Sequence, residues 1–119
     1  MLYNAGMDKF YAISDPTRRK ILEILACHGE LSATEICAEF PVSSPAISQH
    51  LKVLRQANLV FMEKRAQKRI YRINPEAMLE LENWARDTSQ LWIQRFEALE
   101  KLLEVESKTL DKEKLQDGH

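Results

Sequence analysis

Apolar residues along this chain recur mostly three or four positions apart, and the polar residues between them fall where helices start and stop. The clearest stretch is VSSPAISQHLKVLRQANLV, Val42 to Val60. Ile47, Leu51 and Leu54 stand at i, i+4 and i+7, the spacing of one helix face. Ser43 caps this helix and Asn58 is its C′ residue. The opposite face is Pro45, Ser48, Gln49 and Lys52, with no carboxylate. Three helices are expected before it. The first covers Ala5 to Ser14, with Met7, Phe10, Tyr11 and Ser14 on one side. The second starts at the Asp15 cap and Pro16, buries Ile21, Leu22 and Leu25, and closes at Gly29. The third carries the capping box Ser32–Glu35, buries Ala33, Ile36, Cys37 and Phe40, and stops at Pro41. Only a three- or four-residue turn separates it from the fourth helix, the spacing of a helix-turn-helix.

After Asn58 the period changes. Leu59–Lys64 and Arg69–Asn74 are rich in β-branched and aromatic residues and read as two strands joined by a basic connection. The turn offers Ala66-Gln67 instead of the glycine that tolerates positive φ, which predicts a looser hairpin. Asn74-Pro75 then opens a long helix. Its apolar positions are Met78, Leu81, Ala85, Thr88, Trp92, Leu99 and Leu102 or Leu103, widened by Trp84, Leu91 and Phe96. From Pro75 to Glu104 such a helix is about 45 Å long, more than so small a domain covers from one side. The expected organisation is therefore residues 1–75 as a winged helix-turn-helix, 76–106 as a long C-terminal dimerisation helix, and 107–119 as a polar tail that frays. The fold class is mainly α with a small β-hairpin.

Composition narrows the picture. The chain has 119 residues, a one-domain length, and only three glycines and four prolines, which favours helices over a β-sandwich. No apolar run reaches the roughly 18–20 residues of a membrane span, and no basic leader with an apolar core opens the chain. Two cysteines, Cys27 and Cys37, do not make a disulfide framework. A reduced, cytoplasmic protein is expected. The net charge of −1 hides an asymmetry: residues 42–75 hold seven basic residues and one acid, Glu63. That local charge predicts contact with a polyanion.

The segments DPTRRKILEIL, GELSATEICAEFPVSSPAISQHLKVLRQANLV and KRIYRINPEAM resemble the ArsR/SmtB group of bacterial transcriptional repressors. The likeness covers about residues 7–80. The continuation LWIQRFEALEKLLE is similar to the metal-independent subgroup, whose last helix is long. The resemblance implies a recognition helix in the DNA major groove, with Ser43, Ser44, Pro45, Ser48, Gln49 and Lys52 toward DNA. It also implies a two-fold dimer, repression (of its own operon in some members), and an inverted-repeat operator. Residue chemistry agrees: Gln bonds an adenine edge in a bidentate way, Ser donates or accepts, and Lys reaches guanine or phosphate. Lys64, Arg65, Lys68 and Arg69 on the wing would neutralise phosphates. The dimer would use Phe10, Met78, Leu81, Ala85, Trp92, Leu99 and Leu103. His50 reads as a core-flanking histidine satisfied by a backbone carbonyl, with a phosphate contact as the alternative.

Neither family metal site is expected. Ser32 and Thr34 stand where thiolates would, leaving Cys37 alone, and residues 75–118 contain no histidine. No cofactor is expected. No catalytic motif is present, and Cys27 and His28, being adjacent, point about 100° apart on a helix. Two alternatives stay open: a winged helix that binds protein, and a redox-responsive repressor using Cys27 and Cys37.

Overall fold

A computed structural model describes residues 8–117. In chain order it contains α1 (Lys9–Ala12), α2 (Pro16–His28), β1 (Glu30–Ser32), α3 (Ala33–Ala38), α4 (Ser44–Gln56), β2 (Val60–Arg65), β3 (Lys68–Ile73) and α5 (Pro75–Asp117). Contacts divide the chain at Leu81/Glu82.

From α2 onward, each helix begins on the residue expected to cap it, whereas α1 is capped by Asp8, which the sequence reading did not single out. The Asp15 carboxylate accepts the N–H of Arg18 at 3.0 Å. Ser32 Oγ accepts from Glu35 N at 3.1 Å, while Glu35 Oε1 accepts from Ser32 N at 2.8 Å, so the capping box is closed in both directions. Ser43 Oγ accepts from Ala46 N at 3.3 Å. The Asn74 side chain accepts from Glu76 N and donates to Asn58 O, fastening the start of α5 to the end of α4. Gly29 ends α2 at φ 86, and Asn58 follows α4 at φ 60. Of the first helix expected over Ala5–Ser14, the structure retains Lys9–Ala12; Ala5 and Met7 lie outside the described residues, and Ser14 falls in the turn after it.

Ile21, Leu22 and Leu25 of α2, Ile36 of α3, and Ile47, Leu51 and Leu54 of α4 form the core with Leu59, Val60 and Tyr71. Burying each such side chain contributes about 1.5–3 kcal/mol. The sheet is three-stranded and antiparallel in the order β1-β3-β2, not the two-stranded hairpin expected. Glu30, Leu31 and Ser32 pair with Arg72, Tyr71 and Ile70. Three residues are too few to show a period of two, so only their pairing reveals β1. The hairpin keeps unbroken register from Val60↔Ile73 to Arg65↔Lys68. Its turn places Ala66 at φ 56.

Two boundaries differ from expectation. Ala77 is buried, and Met78 and Leu81 pack against the same core, so the first turns of α5 complete the first unit. The expected boundary at residue 75 cut this packing. Second, α5 runs to Asp117 instead of ending at 106, so the stretch read as a fraying polar tail is helical. Its Lys, Glu, Leu and Gln residues are strong helix formers, and no Gly or Pro interrupts the chain between Pro75 and Gly118.

The second unit is a single helix in which Leu91, Trp92, Phe96, Leu99, Leu102 and Leu103 are all more than half exposed. A 2.7 Å Glu82–Arg86 ion pair spans one of its turns.

Candidate nucleic-acid interface

The burial of Ile47, Leu51 and Leu54 fixes the rotation of α4 about its axis. Ser44, Pro45, Ser48, Gln49 and Lys52 are consequently all exposed. The helix has no acidic residue along its length. Its first turn presents backbone N–H groups, one of them taken by the Ser43 cap. The surface offers hydrogen-bond donors and acceptors with one cation and repels no phosphate.

The wing follows from strand alternation. Val60 and Met62 face the core, so Lys64 continues their side of β2, opposite Arg69. Arg65 and Lys68 pair on the other side, with Glu63, Ile70, Phe61 and Arg72. Arg72 stacks its guanidinium 4.7 Å from the Phe61 ring centroid. Lys64, Lys68 and Arg69 are exposed and make no ion pair among the described residues.

Arg65 is placed differently. Its Nη1 lies 2.6 Å from Glu30 Oε1 and its Nη2 3.1 Å from Glu30 Oε2, a two-point grip. Glu63 accepts from the same guanidinium at 3.1 and 3.3 Å. The hydrogen bond from Arg65 holds the Glu30 carboxyl below the usual carboxylate range, and the two glutamates raise the arginine further. Four of the five guanidinium donors are involved. Arg65 therefore joins β1 to the hairpin and faces two carboxylates that a phosphate would have to displace.

His50 departs from expectation. Its Nδ1 lies 3.2 Å from Arg18 Nη1 and 3.9 Å from Asp15 Oδ2, so its partner is a side chain on α2 and not a backbone carbonyl. Cys27 is exposed on α2, and Cys37 is half-buried against the core. Among the described residues, no group of three or more His, Cys, Asp or Glu is gathered to hold a metal. Ser32 Oγ, at one of the family's thiolate positions, serves as a helix cap.

The family model described as "Bacterial regulatory protein, arsR family" matches residues 15–61. The HTH-type transcriptional regulator Rv2034 of Mycobacterium tuberculosis is 38% identical over 104 residues, covering 87% of this chain and 94% of that one. The chain belongs to the ArsR family. The transcriptional repressor SdpR of Bacillus subtilis is 41% identical over 75 residues, 63% of this chain and 82% of that one. Among solved structures, an ArsR-like transcriptional regulator from Rhodococcus sp. RHA1 superposes with a TM-score of 0.69 at 29% identity, covering 78% of this chain and 87% of the other. Such proteins are DNA-binding transcriptional regulators, not enzymes, with a winged helix-turn-helix. The ArsR-family match spans α2 through the start of β2, the whole helix-turn-helix; the wing tip and α5 lie beyond it.

Two residues of this ArsR-family domain escaped sequence reasoning. Arg18 is buried, although its position, three and four residues before Ile21 and Leu22, puts it in phase with the core face of α2. That phase was the available signal. Glu30 left no comparable mark, because its role depends on a strand of three residues.

Proposed function

We propose that this protein is a homodimeric repressor that binds an inverted-repeat operator, its own operon's included. In this reading α4 lies in the major groove, with Ser44, Pro45, Ser48, Gln49 and Lys52 toward the bases and Ser43 at a phosphate. Lys64, Lys68 and Arg69 flank the groove and Arg65 braces the wing. The observation that carries the reading is the carboxylate-free, fully exposed face of α4 opposite Ile47, Leu51 and Leu54, beside three unpaired wing cations. Two copies place two recognition helices on one face of the duplex, which calls for two-fold half-sites. The exposed stripe of α5, with Ala85, Trp92, Leu99 and Leu103, supports dimerisation, and Phe10 of α1 adds apolar surface. Met78 and Leu81, expected in that interface, already pack within their own domain. The regulator acts in the cytoplasm and needs no metal or cofactor, since Ser32 and Thr34 offer hydroxyls where thiophilic ions need thiolates.

The test is Gln49→Ala, titrated against a duplex enriched by the wild-type protein from a random-sequence pool and against a scrambled duplex. Operator affinity is expected to fall by about 1–3 kcal/mol with little change on scrambled DNA. Equal losses on both would remove Gln49 from base reading.

A further inference from the structure

Arg18 is 8% exposed, and no carboxylate pairs with its guanidinium among the described residues. Asp15 attracts it only from beyond ion-pair distance, and a buried arginine is costly unless its donors are satisfied. Here they are spent across two other helices. Nε donates to Ala12 O at 2.6 Å, and Nη2 to Tyr11 O at 3.4 Å, both carbonyls at the C-terminal end of α1. That end carries the negative pole of the helix. The Tyr11 ring centroid lies 5.4 Å from the guanidinium carbon. The remaining arm, Nη1, reaches His50 Nδ1 at 3.2 Å on α4.

This last contact decides the state of the imidazole. Arginine has only donors, so Nδ1 must be the acceptor and the ring proton must sit on Nε2. The competing arrangement, an Nδ1–H directed at Asp15 Oδ2, spans 3.9 Å and is too long for a hydrogen bond.

We propose that Arg18 and His50 form a positioning clamp that trims the rotation of α4 by the last few degrees left open by its buried face; the proposal rests on the reading of α4 as the base-reading helix. The guanidinium is a rigid planar fork, so fixing two of its arms on α1 fixes where the third meets α4. His50 follows Gln49 directly and lies two residues from Ser48 and Lys52. Side chains extend about 5–6 Å from a helix axis, so a rotation of about 10° moves their tips by about 1 Å. Hydrogen bonds to base edges do not survive such a shift, whereas contacts with the phosphate backbone tolerate it. The clamp therefore acts on sequence discrimination more than on affinity as such. Both residues work through their neighbours and touch no DNA.

The experiment uses the full chain, the enriched duplex and its scrambled counterpart in parallel anisotropy titrations. His50→Leu removes the acceptor; His50→Gln restores one. His50→Leu is expected to reduce the preference for the enriched duplex about tenfold while scrambled-DNA affinity stays within about twofold, and His50→Gln to recover most of the preference. Side-chain nitrogen NMR of the wild type is expected to find His50 as the Nε2–H tautomer. Arg18→Lys, which keeps the charge and loses the fork, is expected to lower the share of that tautomer in molecules that remain folded. A His50 proton on Nδ1 overturns the clamp. So does a His50→Leu protein that binds both duplexes as the wild type does, or that loses both equally. If no duplex is enriched at all, the base-reading function itself fails and the clamp falls with it.

Discussion

The four cations nearest the tip of the wing fall into two kinds, and salt dependence distinguishes them. Lys64, Lys68 and Arg69 make no ion pair among the described residues, Lys68 acting on Glu35 only at longer range, whereas Arg65 is held by Glu30 and Glu63. Each phosphate neutralised contributes about 0.9 to the slope of log K against log salt. Three free cations on each of two protomers then account for a slope of about 5. Over a fourfold rise in salt, that slope is worth about a thousandfold in affinity. Changing Lys64, Lys68 and Arg69 together to Gln is expected to flatten the slope by about 5, and Lys68→Gln alone by about 2. Arg65→Gln is expected to change it by less than about 1, because that side chain must first abandon two carboxylates. The assay is anisotropy of labelled scrambled duplex across a salt series, which isolates the sequence-independent term. A triple variant with the wild-type slope would show that the wing does not meet the backbone. An Arg65→Gln slope change equal to that of Lys68→Gln would show that the Glu30 grip yields to phosphate.

Three further outcomes follow from the geometry. Ala66 pays for its φ of 56, so Ala66→Gly is expected to stabilise the domain by about 0.5–1 kcal/mol in urea unfolding, and a destabilised variant would refute strain at the turn. A chain ended after Asn83, which keeps Ala77, Met78 and Leu81, is expected to fold, to sediment as a monomer and to bind the enriched duplex poorly, while the full chain sediments as a dimer; a monomeric full chain at micromolar concentration would refute the assembly. For Asp15, partial burial opposes ionisation but the Arg18 N–H and the nearby Arg18 charge outweigh it; Arg65 chiefly lowers Glu30, and the Ser32 cap lowers Glu35. Folded-state values below the unfolded ones mean stability that is present above the ordinary carboxylate range and lost as pH falls through the folded values, so denaturant midpoints are expected to hold from neutral pH down to about 5 and to drop below about 4; a midpoint flat through that window would refute these contacts.

Caps and periodicity were legible because they are local. Asp15, Ser32, Ser43 and Asn74 act on backbone groups within three residues, and the faces of α2 and α4 follow from spacing alone. What escaped depends on long-range pairing. β1 exists because β3 returns beside it, 42 positions along the chain at the Glu30↔Arg72 pair. The Arg65 grip on Glu30 follows from that pairing. His50 was legible as a core-flanking residue, but its partner lies 32 positions away on another helix. The end of α5 was misplaced for another reason: polarity was read as fraying, although Lys, Glu and Gln sustain a helix when no Gly or Pro interrupts it.

The two units solve opposite problems. In the first, Ile21, Leu25, Ile36, Ile47, Leu51, Leu54 and Leu59 are essentially removed from water, so the domain needs no partner to hide its core. In the second, Glu82 to Asp117 form about 54 Å of helix, with Leu91, Trp92, Phe96, Leu99, Leu102 and Leu103 all exposed. Nothing within one helix can bury them. Surface pairs such as Glu82–Arg86 contribute only about 0.3–0.5 kcal/mol each and cannot offset that exposure. Those six side chains are 53–69% exposed, so covering what remains on each of two copies, at the low end of about 1.5 kcal/mol for a full burial, gives about 11 kcal/mol gross. That gain is of the size of an association cost of about 4–15 kcal/mol, which is why a second copy is the proposed cover for this face. In the proposed reading, DNA binding and self-association draw on different residues. α4 keeps its polar face free because its apolar face is fully used inside its domain, whereas the exposed leucines and aromatics of α5 have no core within their own unit.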